Sequence, residues 1–151
     1  ESGSVCKYHN LQILDGDIDI LGKSNYQVID MDLQSWTKDN FFNNIRISLG
    51  FHEMGADLDA LDDSLDDLLN KKYRGLVLVF RHFDLLFYND KETCQDFLDI
   101  IAETSRRWLV NGQHLICLVQ SDDPDFYIGR VGGNSPSWNW QEWFDNDRRE
   151  S

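Results

Sequence analysis

The segment from Met54 to Leu69, MGADLDALDDSLDDLL, constrains this chain more than any other. Leu58, Leu61, Leu65, Leu68 and Leu69 recur every three or four residues, the spacing that lines one side of a helix turning by about 100° per residue. The same rotation carries Asp59, Asp62, Asp63, Asp66 and Asp67 to the opposite side. An amphipathic helix follows, greasy towards a core and all carboxylate on its other face. Asp suits a helix interior badly because its short side chain competes for backbone groups. Like charges one turn apart (Asp59 and Asp63, Asp62 and Asp66, Asp63 and Asp67) each cost about 0.2–0.5 kcal/mol. Asp57 and Asp59 fit the start of the helix as cap and dipole partners, but Asp66 and Asp67 sit at the wrong end, and no Lys or Arg intervenes before Lys71. Folding alone would prefer Glu and Lys here. A merely solvated acidic face is the plain reading of such a run, and the choice of Asp without interleaved cations favours a partner for it.

The charge balance says what kind of partner. Fourteen basic against 27 acidic residues leave a formal charge of -13 over 151 residues, which disfavours nucleic acid or an anionic membrane as a direct partner and favours a basic protein. With 41% hydrophobic residues the chain has material for one compact core. Cys6, Cys94 and Cys117 are odd in number and show no repeated spacing, and no segment reads as a signal peptide or an apolar span of roughly 20 residues. These features predict a cytoplasmic protein with reduced thiols, Cys94 and Cys117 lying in the core.

Along the chain, residues 8–21 (YHNLQILDGDIDIL) predict a β-hairpin turning at Asp15-Gly16. Asp15, Asp17 and Asp19 imitate the first ligands of a calcium loop, but Ile20 stands where glycine is needed and Tyr26 where a bidentate glutamate belongs, so no calcium site is expected. Tyr26 to Met31 predicts a strand. Ser35 to Leu49 predicts a helix burying Trp36, Phe41, Phe42, Ile45 and Leu49 and closing at Gly50. Tyr73 to Phe83 holds GLVLVFRHF, apolar on successive residues as in a central strand covered on both faces. Lys91 to Val110 predicts a long helix with Cys94, Phe97, Leu98, Ile101, Trp108 and Leu109 on one side, ended by Asn111-Gly112, and His114 to Gln120 a further buried strand. Strands separated by helices pair in parallel. The expected fold is therefore α/β: a three-stranded parallel sheet packed by helices, with an N-terminal hairpin and an irregular Trp-rich C-terminal extension. In that extension DFYIGRV has the pattern of one more strand, and Trp138, Trp140, Trp143 and Phe144 read first as cover for the core, with a contact patch as the sharper alternative.

Catalytic chemistry has little support. His9, His52, His82 and His114 are scattered, His52-Glu53 lacks the second histidine of a zinc-protease helix, and neither a phosphate-binding glycine loop nor a zinc cysteine pair occurs. Asp59 with Asp63, or Asp62 with Asp66, has spacing that permits a divalent ion, yet these carboxylates spread along one outer face instead of converging from several elements. No catalytic residue, metal or cofactor is expected.

Taken together, YQVIDMDLQSW, a helix, GADLDALDDSLDDL, GLVLVFRHFD, a long helix and HLICLVQ resemble the barstar family of ribonuclease inhibitors over about Tyr26 to Gln120, most specifically in Gly55, Leu58-Asp59-Ala60-Leu61 and the apolar strand ending at Arg81. The resemblance implies a small α/β domain that inserts its acidic helix and the preceding loop into a nuclease active site, carboxylates standing in for substrate phosphates. It implies that Asp59 and Asp63 make these contacts, Asp63 as the principal anchor, that Asp57 replaces an asparagine, and that Glu103 is an accessory acidic contact. Glu53 and Met54 replace paired aromatics, Asp62 a tryptophan and Arg107 a second accessory acid, so the resemblance points to a basic nuclease other than the family's usual target.

The resulting expectation is a non-catalytic immunity protein of bacterial toxin–antitoxin type that blocks a basic ribonuclease toxin, a monomer in a 1:1 complex. Its partner-binding residues are Glu53, Met54, Gly55, Asp57, Asp59, Asp62, Asp63, Asp66, Asp67 and Glu103, within residues 26–120; residues 1–25 form an N-terminal extension and 121–151 a C-terminal one packed on the same domain. The competing expectation is an acidic scaffold or regulatory module for a basic protein that is not a nuclease.

Overall fold

In strand β3 (Gly75–Arg81), Leu76, Leu78 and Phe80 turn to one face of a sheet while Val77 and Val79 turn to the other, and all five are buried. A strand with apolar side chains on both faces belongs at the centre of a parallel sheet, and β3 lies between β2 (Tyr26–Asp32) and β4 (His114–Gln120), parallel to both. The structure, a computed structural model, describes residues 4–132 and 136–139.

The sheet is wider than the sequence suggests. Beside β4 lies β1 (Val5–Tyr8), and beside β1 the two-residue β5 (Ser137–Trp138), giving a five-stranded, all-parallel sheet in the order β2-β3-β4-β1-β5. The expected three strands are its β2-β3-β4 portion. β1 is too short to announce itself, and its pairing partners, Cys117 to Gln120, lie more than a hundred residues away.

No hairpin forms in residues 8–21; helix α1 (Leu11–Lys23) stands there instead. The Asn10 side chain accepts hydrogen bonds from the backbone N–H groups of Gln12 and Ile13 and so caps the helix, and Leu14, Ile18 and Leu21 follow at helical spacing against Val77, Val79 and Leu118. The cap and this apolar stripe outweigh the turn preference of Asp15-Gly16. Asp15 is instead held at 2.6 Å by Arg81, which also grips Asp30 through two bonds of 2.8 Å. These carboxylates, Asp30 first, drive the Arg81 pKa further up from its ordinary value.

The opposite face carries the larger core, beneath α2 (Phe41–Ser48), α3 (Leu58–Leu65), α4 (Phe83–Asn89) and α5 (Lys91–Val110). α2 starts at Phe41, not Ser35: residues 35–40 form turns in which Thr37 N–H donates to the Asn40 side chain, though Trp36 is still buried. Gly50 closes that helix at φ 76°, and Gly112 closes α5 at φ 73°, the left-handed region where glycine carries no steric cost. α4 was hidden in the sequence because it begins immediately after β3, separated only by His82 at φ 58°. α5 has the expected bounds, but Leu109 is 51% exposed because its helix phase has rotated it away from the side that buries Trp108. Residues 125–131 do not form a strand. They cross the core as irregular chain, burying Phe126, Ile128 and Val131.

Cys94 and Cys117 are buried free thiols and Cys6 is half-buried. Trp138 is half-buried, with the Lys7 Nζ 4.7 Å from its ring centroid. Trp140, Trp143 and Phe144 lie outside the described residues. Among the described residues no helix is long and apolar enough to cross a membrane.

Candidate functional site

The acidic helix begins at Asp57, whose carboxylate accepts the Ala60 N–H at 2.8 Å. This is N-capping, so Asp57 serves the fold whatever else it touches. In the loop before it Glu53 is exposed, Met54 packs partly on the core, and Gly55 lies so close to α3 that a Cβ there would stand 3.0 Å from the Ala60 Cβ. Leu61 and Leu65 are fully buried, while Leu58, Leu68 and Leu69 pack against the core from its margin.

The α-helical phase does not continue to Leu69. It ends at Leu65 and gives way to a 3-10 turn, Asp66–Leu68. Trp108 on α5 meets this turn, its indole Nε1–H donating to Asp66 Oδ1 at 3.0 Å. Arg107, one residue earlier, places its Nη2 3.4 Å from the same Asp66 oxygen and 3.6 Å from Asp62 Oδ1. The first is a long hydrogen bond and the second only an ion pair. The expected uninterrupted acidic face is therefore divided. Asp62 and Asp66 are drawn towards α5, whereas Asp59, Asp63 and Asp67 are exposed and pair with nothing among the described residues. Glu103, exposed on α5, stands one turn before Arg107 on the helix that α3 packs against.

Sequence reasoning could not foresee the Trp108–Asp66 bond, since 42 positions separate the two residues. Arg107 was visible as a cation but not as a neighbour of Asp62.

The molecule holds a second polar cluster where β3 and β4 end. The His82 ring is 2.7 Å from Asp122, the Gln120 side chain accepts the His82 N–H at 2.8 Å, and buried Asp84 accepts the Asp122 N–H at 3.2 Å. Nearby, Tyr88 donates to Asp123 at 2.7 Å; this bond holds the Asp123 carboxyl below its ordinary pKa, while burial and that carboxylate push Tyr88 up to about 12. These bonds fasten the loop after β4 to α4. Among the described residues no cluster of three or more His, Cys, Asp and Glu is arranged to hold a metal ion.

A parallel sheet with four helices on one face, among them an acid-rich one packed on the longest, defines a class of small α/β domains. Within that class the chain belongs to the barstar family: the family model described as Barstar (barnase inhibitor) matches residues 26–120, from the first residue of β2 to the last of β4. Members of that family are inhibitors and not enzymes. No curated protein matched the chain in a sequence comparison. β1, α1 and β5 lie outside the matched segment, and the two strands extend the sheet from three strands to five.

Proposed function

We propose that this chain is the immunity protein of a basic ribonuclease toxin and blocks its active site in a 1:1 complex. Asp59 and Asp63 carry the contact, one turn apart, aided by Glu103, Asp67 and Glu53 around them; Met54, Gly55 and Asp57 shape the loop, and Asp62 and Asp66 border it. The observation that carries this reading is that Asp59 and Asp63 are exposed on one helix face without a pairing side chain among the described residues, inside the segment the family shares. Two unneutralised carboxylates about 5–6 Å apart at Cβ can meet the Arg, Lys and His that a ribonuclease presents to phosphate. Neither carboxylate is needed by the core; Asp59 gains from the start of the helix, while the repulsion that Asp63 meets is offset on binding. On this reading the protein acts in the cytoplasm and has no direct contact with nucleic acid or membrane.

The test is an RNA-cleavage titration of the full chain against a panel of small basic ribonucleases, barnase among them. Stoichiometric inhibition of at least one is expected, weakening with salt as opposite charges are screened. The double variant Asp59→Ala, Asp63→Ala should lose about 3–5 kcal/mol of binding, a thousandfold or so, by leaving the enzyme's cations buried and unpaired. Undiminished inhibition by that variant refutes the proposal. A basic partner without nuclease activity would place the chain among scaffolds instead.

A further inference from the structure

We infer that Arg107 is a specificity-determining residue of the acidic face, directing the chain towards ribonucleases that set no cation against the far end of α3. The inference rests on the function proposed above and adds the charge pattern the partner must have. The Arg107 guanidinium places Nη2 3.2 Å from Thr104 Oγ1, 3.4 Å from Asp66 and 3.6 Å from Asp62. Its side chain nevertheless remains 46% exposed, and those of Asp62 and Asp66 42% and 52% exposed. The guanidinium is thus held on the rim of the face, not sunk beneath it.

Two consequences follow from that position. Arg107 offsets part of the charge of Asp62 and Asp66, and so leaves Asp59 and Asp63 as the unneutralised carboxylates of α3. It also offers a fixed, permanently charged group to whatever covers this end. Thr104 and the Trp108-anchored Asp66 hold it there, and a cation fixed in place discriminates more sharply than one that can swing aside. A nuclease that is basic around its whole cleft meets repulsion at Arg107, and one that is neutral or acidic there does not. Discrimination of this kind needs an element that penalises the wrong partner as well as one that attracts the right one.

The experiment uses the full chain, its Arg107→Ala, Arg107→Glu and Asp63→Ala variants, and the same ribonuclease panel, reading inhibition constants and their ratio between the best-inhibited enzyme and the others. Replacing Arg107 should strengthen inhibition of the poorly inhibited enzymes by about tenfold, more for Glu than for Ala, and so narrow the ratio. Asp63→Ala should weaken all panel members together and leave the ratio nearly unchanged. If the ratio survives both Arg107 substitutions, the inference is overturned while the acidic-face reading stands. If Asp63→Ala changes nothing anywhere, the reading beneath it fails too. Thermal unfolding of both Arg107 variants, expected near that of the parent because the site is half exposed, separates altered recognition from altered folding.

Discussion

Trp108 donates its indole N–H to Asp66 across 3.0 Å, and this bond joins α5 to the turn in which the acidic helix ends. Trp108 is itself almost wholly buried, so removing the acceptor deprives its N–H of its protein partner.

That relationship separates two aspartates that look equivalent in sequence. Asp66→Ala orphans a buried donor and should cost about 1–3 kcal/mol. Asp63→Ala touches no side chain of its own protein among the described residues and should stay within about 0.5 kcal/mol of the parent. Paired urea titrations with equal m-values measure the difference, and equal costs for both variants would contradict the structure.

Asp57 is expected to have a folding role that substitution can expose. Asp57→Ala should destabilise by about 1 kcal/mol through loss of the cap, while Asp57→Ser, which keeps an acceptor, should recover most of it. Circular dichroism melts of the two variants decide the matter.

Gly75 opens β3 at its closest approach to β4. A Cβ there would collide with the carbonyl oxygen and Cβ of His114, backbone that cannot swing away. Gly75→Ala should therefore cost about 3 kcal/mol, the upper end for overpacking, a loss that chemical denaturation would register as a lower midpoint.

Stability should fall on both sides of neutrality, for different groups. Burial pushes the Cys94 thiol up to about 12 and raises Cys117 and Tyr8 as well, so the folded chain holds protons that the unfolded chain releases from about pH 8.5–10. Their contribution is complete below that range, begins to fall within it and goes on falling until the folded groups themselves release their protons. Asp123 behaves oppositely: its lowered pKa contributes above about pH 4 and is lost as pH falls further. Melting temperatures from pH 3 to 11 should trace a plateau with two descending flanks, and Tyr88→Phe, which removes the bond that lowers Asp123, should flatten the acidic one.

The parts of this molecule that could be read from sequence are those whose signal is contained in one stretch. β3, α5 and β4 announce themselves because Leu76 to Phe80, the Cys94 to Trp108 stripe and Leu115 to Val119 each bury a continuous set of side chains. The N-terminal region misleads because the turn preference of Asp15-Gly16 is local, while the contacts of Leu14 with the sheet and of Asp15 with Arg81 span dozens of residues. The candidate site divides the same way. Exposure of Asp59 and Asp63 follows from helix periodicity, but the engagement of Asp62 and Asp66 depends on Arg107 and Trp108 arriving from a distant helix.

β1 sits inside the sheet, with β4 on one flank and β5 on the other, although it is made of the first residues described. During synthesis its slot next to β4 cannot be filled until Cys117 to Gln120 have emerged, so β1 waits more than a hundred residues for its partner. If the chain is an antidote, any interruption upstream of β4 yields a product without a finished sheet beneath its charged rim.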